Sequence, residues 1–369
     1  MRRPHLRYEV HTSSALIGCM LIAVLLLLAA PSLGTASPNC TAEQGQAFID
    51  NGQYAQAVSE FTCLVDAQPT EVEGYRGRIE AELLLGRFSD AVRDYTRVTA
   101  YVEPVHPDAK LVIYDGYADR LAASPDDVPA LTGASFARWY FFDYPQAIHV
   151  LDHLLAVKPD DLYGTLFRGS NRLLKNVNKA RGIADLEQAI AMAPSSPDVR
   201  YVVADAYTYG QPSDPARALA EATSALDGGL DTPRVHAILG AAYTALGDPA
   251  AAALEVQQHL DLVTTNLVPT SPLAARDTRT LDLVPGLTYE IPLTVTAGET
   301  ISISTSSHEF TDTIALLLAP DGSPVLGSDD TPTGYFAAFS YVAQETGTYL
   351  LRVTSFESVS TGALTVTRR

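Results

Sequence analysis

A repeat with a period of 34 residues runs through the first two thirds of the chain. Gly52 and Gly86 are 34 residues apart, as are Ala57 and Ala91. Self-similarity at this period is typical of solenoids made of helical hairpins, in which each hairpin buries its apolar face against its neighbours. The repeat therefore constrains most of the chain to an array of paired helices.

Each unit combines small residues, where two helices approach closely, with aromatic residues that fill the space between them. In the last unit, Gly240 is the small residue, Tyr243 is the aromatic one, and Gly247 and Asp248 form the turn between the helices. Six units fit into residues 38–265. The first unit shows the pattern most completely, with Gly45, Phe48, Gly52, Tyr54, Ala57, Phe61, Leu64 and Pro69.

These units resemble the tetratricopeptide repeat, a family of antiparallel helix pairs with a proline closing each unit. The resemblance covers residues 38–265 and implies an α-solenoid whose concave face is lined by the first helix of each unit. It also implies a peptide or protein partner in that groove. One irregularity interrupts the register at residues 106–127, which predict an extra helix that is either a degenerate half-repeat or an insertion that bends the superhelix.

Aromatic residues with a few charges are predicted on or near the concave face. This composition is typical of peptide or protein capture, although packing between helices accounts for aromatic residues equally well. The predicted groove residues are Phe136, Trp139, Tyr140, Tyr163, Tyr201, Asp205, Tyr209 and Arg234.

The composition changes near residue 266. Residues 266–278 are interrupted by proline and predict a linker. From residue 279 on, helical periodicity gives way to short alternating runs rich in Thr, Ile and Val, separated by turn residues. Residues 279–369 therefore predict a small antiparallel β-sandwich. The predicted fold class is multidomain α + β, an α-solenoid of helical hairpins followed by this sandwich.

The order of these strands and turns is similar to that of the bacterial pre-peptidase C-terminal domain. Matching pieces include residues 296–299, 312–322, 328–330 and 345–353. The resemblance implies a jelly-roll-like, non-catalytic appendage of the kind that secreted enzymes carry, and some members of that family bind calcium or extracellular polymers. Loop carboxylates are the hard ligands that calcium prefers, so Asp312, Asp329 and Asp330 are candidate calcium ligands. Ordinary turns explain the same aspartates, and no other cofactor is predicted.

The N-terminus predicts a secretory signal over residues 1–36. Basic residues precede an uninterrupted apolar run from Ala15 to Ala30, and small residues follow it. An uncleaved membrane anchor is the alternative. Cys40 and Cys63 would be the two cysteines of an exported chain, and an antiparallel hairpin brings their positions together, which predicts a disulfide; two separately buried thiols are the alternative.

The charge balance and the motifs limit the classes of function that the sequence predicts. With 25 basic and 43 acidic residues the formal net charge is −18, which argues against a nucleic-acid partner. His149 and His153 have helical metal-ligand spacing but no HExxH motif, and no nucleophile or phosphate-binding motif is present. We therefore expect an exported, non-enzymatic interaction scaffold, secreted or in the cell envelope, whose sandwich contacts a surface or polymer. An accessory subunit of a secreted enzyme or envelope complex is the alternative.

Overall fold

The computed structural model describes residues 40–103, 105–307, 312–329, 336–356 and 362–369. The predicted signal over residues 1–36 lies outside these ranges. Across the described residues, no helix combines the length and apolar character that a membrane span requires.

Within the described residues, six helical hairpins follow one another, as the repeat predicts. Their helices are α1 (Ala42–Asp50), α2 (Tyr54–Ala67), α3 (Val72–Leu84), α4 (Phe88–Arg97), α7 (Val128–Tyr140), α8 (Tyr144–Val157), α9 (Leu162–Leu174), α10 (Lys179–Met192), α11 (Pro197–Tyr209), α12 (Pro215–Asp227), α13 (Pro233–Leu246) and α14 (Pro249–Val263); the second and third hairpins are separated by α5 (Ala109–Asp115) and α6 (Ala118–Ala123).

Local sequence signals set the starts of the last four of these helices. Each begins with proline at its first position and has a capping residue directly before it. Ser196, Asp214, Thr232 and Asp248 each accept a hydrogen bond from a backbone N–H of the first turn. Proline is preorganised for this position and lacks an N–H that would need a partner, so cap and proline together fix where each helix begins.

Small residues allow close packing within the first hairpins. The ring of Phe61 lies between Gly45 of α1 and Gly77 of α3, and it is 1 % exposed. A Cβ atom at Gly45 would come within 2.5 Å of the ring, and one at Gly77 within 2.1 Å. These glycines are therefore required by the space that Phe61 fills.

The segment predicted to hold one extra helix holds two short ones, α5 and α6, separated by Gly116 and Tyr117. Tyr117 is buried, and Gly133 of α7 lies so close that a Cβ atom there would clash with its ring. Arg120 of α6 bonds both carboxylate oxygens of the buried Glu80, at 2.8 and 3.0 Å, and also pairs with Asp127. The two short helices are thereby fixed between the second and third hairpins.

The C-terminal part is a sandwich of two sheets, which confirms the predicted fold class. One sheet has the strand order β1–β3–β8–β5–β6 and the other β2–β9–β4–β7. The strands are β1 (Asn266–Pro269), β2 (Thr278–Leu283), β3 (Leu287–Val295), β4 (Thr300–Ser307), β5 (Thr313–Leu318), β6 (Pro324–Ser328), β7 (Ala338–Val342), β8 (Gly347–Ser355) and β9 (Gly362–Arg368). Strand β1 lies inside the segment predicted as a linker and pairs with β3 in parallel, whereas the other pairs are antiparallel.

Strand β5 is buried on both faces. Ala315 and Leu317 face the core between the two sheets, whereas Ile314, Leu316 and Leu318 face α14. The uninterrupted apolar run of this strand is thus explained by cover on both sides. Helix α14 contributes Ala253, Val256, Leu260 and Val263 to the contact.

Residues 255–261 are mostly polar in sequence, yet one face of α14 in this segment is buried. Val256, His259 and Leu260 are buried against the sandwich. Gly327 of β6 approaches so closely that a Cβ atom there would come within 2.6 Å of Val256. The β-sandwich therefore covers the last hairpin, in the place of a polar capping helix.

Candidate functional site

The middle of the predicted groove is filled by the protein itself. Helix α4 of the second hairpin lies against the first helices of later hairpins. Phe88 at its start packs edge-on against Phe167 of α9, with ring centroids 5.4 Å apart. Ser89 donates hydrogen bonds from its backbone N–H and its hydroxyl to Asp198 of α11, 109 residues further along the chain. A partner chain cannot occupy this part of the concave face while α4 lies there.

Three of the predicted groove residues lie in this filled region. Phe136 packs against Tyr95 of α4 and is fully buried. Tyr163 is buried beside Phe88, and its hydroxyl lies 3.0 Å from the Ser135 hydroxyl. Tyr201 is also buried. These side chains hold the array together within the described structure.

The other five predicted groove residues line one cavity of about 440 Å³ between the repeats and the sandwich, which we call the boundary pocket. A cavity of this size accommodates one or two side chains rather than a folded partner. Its lining residues are Trp139, Tyr140, Phe142, Tyr144, Leu174, Asp205, Tyr209, Arg234, Asp312, Asp329 and Phe356.

Phe142 at this pocket combines two unfavourable properties. Its side chain is 66 % exposed, and its backbone has a φ of 61°, in the left-handed region. The corresponding turns of three other hairpins have glycine with positive φ at Gly52, Gly86 and Gly247, and the turn between α9 and α10 has Asn176 with a φ of 62°. A left-handed conformation costs a non-glycine residue about 1–2 kcal/mol, so neither the backbone nor burial accounts for phenylalanine at this turn.

Charged and aromatic groups face each other across the boundary pocket. Burial raises the pKa of Asp205 to about 6, and the charge of Arg234 acts in the opposite direction. The guanidinium of Arg234 lies over the ring of Phe356, 5.6 Å from its centroid. Phe356 in turn contacts the buried His259 of α14, whose Nε2 bonds the Phe356 carbonyl oxygen. The last hairpin thereby fixes the position of one wall of the pocket.

Two of the three candidate calcium ligands, Asp312 and Asp329, also line the boundary pocket. Asp330 lies outside the described residues. Asp321, another loop aspartate, accepts bonds from the backbone N–H and the hydroxyl of Ser323 in an ordinary turn. In the described parts of the chain, no cluster of three or more His, Cys, Asp or Glu residues has a metal-binding arrangement.

A second cavity, of about 480 Å³, lies beside the first and shares Arg234 with it. Tyr201 lines this cavity together with Arg93 and Arg97 of α4. Both arginines are paired with carboxylates on their own helix, Arg93 with Asp90 and Arg97 with Asp94. Asp94 also pairs with the buried Arg78, so the charge of Arg97 is only partly balanced, and Asp231 is the carboxylate among the described residues of this lining.

The predicted disulfide and the histidine pair lie away from both cavities. Cys40 and Cys63 are joined in a disulfide that ties the start of the first hairpin to the end of α2. His153 lies 2.8 Å from a carboxylate oxygen of Asp126, and His149 is exposed one turn earlier on α8.

The sequence reasoning missed Phe142, Tyr144, Leu174 and Phe356 as members of the pocket. For Phe142 a signal was present, because it aligns with Gly86 in the repeat register. An aromatic residue at a turn position that in other hairpins is glycine or asparagine marks a site where the side chain is retained for another reason. Phe356 comes from the sandwich, and its proximity to the repeats depends on how α14 docks, which the repeat pattern does not encode.

The family comparison supports the repeat assignment for the first two hairpins. A family model described as "Tetratricopeptide repeat" matches residues 43–101. The helices that follow continue the same hairpin pattern, and tetratricopeptide repeats imply protein partners in general. No curated protein matches the chain.

Solved structures of low identity match parts of the chain. A tetratricopeptide repeat protein from Parabacteroides merdae is 16 % identical, with a TM-score of 0.37, and the match covers 61 % of this chain and 78 % of that one. A tetratricopeptide repeat protein from Thermus thermophilus is 19 % identical (TM-score 0.33, covering 55 % and 97 %). The C-terminal part matches the pre-peptidase C-terminal domain of a Bacillus anthracis collagenase at 14 % identity (TM-score 0.24, covering 28 % and 95 %). At these scores the likenesses do not bear on function.

Proposed function

We propose that this protein is an exported, non-catalytic scaffold that holds a segment of a partner polypeptide in the boundary pocket. Phe142 carries the proposal. It is a strongly exposed aromatic residue in a left-handed turn at the pocket, and the fold would be served better by glycine. A residue at a cavity that has both a strained backbone and an exposed apolar side chain is typical of a side chain that contacts a ligand.

The neighbouring side chains suit the same role. Tyr209 is 47 % exposed, and Trp139 lies beside it in the lining with a ring Nε1–H that has no hydrogen-bond partner among the described residues. Tyrosine and tryptophan are enriched where proteins bind polypeptides, because they offer a large apolar area together with a polar atom. The filled middle of the groove leaves this end of the array for a partner.

Export is part of the proposal. It is supported by residues 1–36, in which basic residues, an apolar run and small residues follow one another in the order of a secretory signal. The disulfide between Cys40 and Cys63 supports it further, because such bonds persist in oxidising compartments. An uncleaved anchor would place the same scaffold on a membrane.

The outer sheet of the sandwich is the surface that we propose for contact with a polymer or cell surface. The sheet β1–β3–β8–β5–β6 is engaged with α14, whereas β2–β9–β4–β7 is on the opposite side of the sandwich core. Its hydroxyl pairs, Ser302 with Ser340 and Thr278 with Thr367, are exposed. Rows of exposed hydroxyls suit hydrogen bonding to sugars or other polar polymers.

Selection from a displayed random-peptide library tests the binding role. We expect peptides to be captured by the wild-type protein and lost with Phe142→Gly. That variant should raise the free energy of unfolding by about 1 kcal/mol, because it relieves the left-handed strain, so lost capture would not reflect misfolding. Leu254→Ala is the control, since Leu254 is 54 % exposed on α14 and does not line the pocket. Capture that is unaffected by Phe142→Gly, or no capture at all, would contradict the proposal.

A further inference from the structure

His236 of α13 is buried, and both nitrogens of its ring bond carboxylates. The Nδ1 atom lies 2.7 Å from a carboxylate oxygen of Glu255 on α14, and the Nε2 atom lies 2.9 Å from one of Asp231, which precedes α13. An ionised carboxylate only accepts hydrogen bonds, and a neutral imidazole has a single N–H. With both carboxylates ionised, the two bonds therefore form together only on the doubly protonated ring.

The bond to Glu255 lies where the last hairpin meets the sandwich. Val256, the next residue of α14, packs against β5 and β6. One turn further along the helix, His259 bonds the carbonyl oxygen of Phe356, which lines the boundary pocket. A shift of α14 away from α13 would therefore move the sandwich and one wall of the pocket together.

The other helices packed against α13 carry further charged groups. On α12, Glu221 pairs with Arg217 at 2.8 Å. On α11, burial raises the pKa of Asp205 to about 6, and the charge of Arg234 opposes this shift. Each of these carboxylates has an arginine nearby, which leaves the ring of His236 between the two carboxylates that bond it.

We propose that His236 is a pH-sensitive clamp, which holds α14 and the sandwich in place when its ring is protonated and loosens them when the proton is lost. Loss of the proton removes one N–H and turns a nitrogen lone pair toward a carboxylate, so one of the two bonds is replaced by repulsion. The clamp goes beyond the proposed function, because it acts whether or not a partner is bound.

The direction of the pH effect follows from the two states of the histidine. Burial acts to lower the pKa of His236, but the hydrogen bonds to Glu255 and Asp231 outweigh burial and raise it. An unfolded histidine titrates at about pH 6.5. The stability that the clamp contributes is therefore complete below about pH 6.5 and is lost as pH rises through the pKa of the folded state.

Hydrogen exchange of the full-length protein between pH 6 and 9 tests the clamp, with protection corrected for the intrinsic exchange rate at each pH. In the wild type we expect protection of α14 and β5 to fall about tenfold over this range, which corresponds to one charge-assisted hydrogen bond. Protection of α8 should stay constant. With His236→Gln, protection of α14 should be low already at pH 6 and should not change with pH.

Glu255→Gln is a second variant for the case in which His236→Gln does not fold. An amide at position 255 accepts from or donates to either form of the ring, so the fall in protection with pH should be much smaller than in the wild type.

His153→Gln is the matched control. The ring of His153 also bonds an aspartate, Asp126 at 2.8 Å, but both side chains are exposed and lie away from α14. This variant should keep the wild-type pH dependence in α14. Constant protection of wild-type α14 between pH 6 and 9, or a fall that persists in both clamp variants, would overturn the proposal.

Discussion

The two ends of the helical array are closed by different physical means. At the first hairpin, a disulfide between Cys40 and Cys63 ties the helix ends together around a small core that includes Phe61. At the last hairpin, α14 is covered by apolar side chains of β5, with Leu316 at 0 % exposure. A cross-link acts mainly on the unfolded chain, whereas a packed surface stabilises the folded state directly and couples two domains.

The interiors near the two ends differ as well. The second hairpin buries an ion pair between Arg78 and Asp94, whose side chains are 7 % and 2 % exposed. Glu82 is also buried in this hairpin, and its Oε2 atom has no hydrogen-bond partner within the described ranges. The contact between α14 and β5 is almost entirely apolar. The N-terminal end should therefore respond to redox conditions and pH, and the contact between α14 and β5 to changes in side-chain volume.

The largest expected effect is at the apolar end. Leu316→Ala should lower the free energy of unfolding by about 2–5 kcal/mol, because it opens a cavity between β5 and α14. Hydrogen exchange followed by mass spectrometry should show faster exchange in both α14 and β5, with the first hairpin unchanged.

Leu317→Ala is the matched control for that experiment, since Leu317 is equally buried but faces the core between the two sheets. It should speed exchange in the sandwich more than in α14. If Leu316→Ala leaves exchange in α14 unchanged, the sandwich does not stabilise the last hairpin.

The disulfide has the next largest expected effect. Replacing Cys40 and Cys63 together by serine should destabilise the first hairpin by about 3 kcal/mol on the loop-entropy model, for a sequence separation of 23 residues. Exchange should increase in α1 and α2 and stay unchanged in α14. Reduction of the wild-type protein should give the same local pattern, and a uniform loss of protection along the chain would contradict the difference between the two ends.

A pH dependence of stability is expected at Glu82. Burial raises its pKa to about 9, and the charges of Asp94 and Asp90 act in the same direction. An unfolded glutamate titrates near 4.3, so the stability contribution of protonated Glu82 is complete below about pH 4.3 and is lost as pH rises through about 9. The melting temperature of Glu82→Gln should therefore increasingly exceed that of the wild type from pH 5 to 9. A constant difference would contradict the assignment.

Local patterns predicted the hairpins and the strands, because their signals lie within single units. The 34-residue spacing places Gly52 and Gly86 in equivalent turns, and both have positive φ. The position of α4 against α9 and α11 was not predictable, since it depends on contacts such as Ser89 with Asp198 across 109 residues. One sequence signal does point to the docking of α14: residues 314–318 form an unbroken apolar run, which indicates that the strand is buried on both faces.

The candidate site was predicted only in part for the same reason. Trp139, Asp205 and Tyr209 could be assigned to first helices of their units by counting positions in the repeat. Their meeting with Asp312 and Phe356 arises from the domain boundary, which involves residues that are distant in sequence. The pattern within one repeat unit cannot predict a pocket formed by residues that are distant in sequence. The aromatic residue Phe142, at a turn, is the one local sign of where this pocket lies.

Photo-crosslinking of a captured peptide tests the binding site most directly. A benzophenone side chain is placed at position 142, 209 or 254 of the full-length protein, and adducts with a peptide from the library selection are mapped by mass spectrometry. The structure predicts adducts from positions 142 and 209, which line the boundary pocket, and none from position 254 on α14. Adducts from position 254, or their absence at position 142, would contradict the assignment of the partner to this pocket.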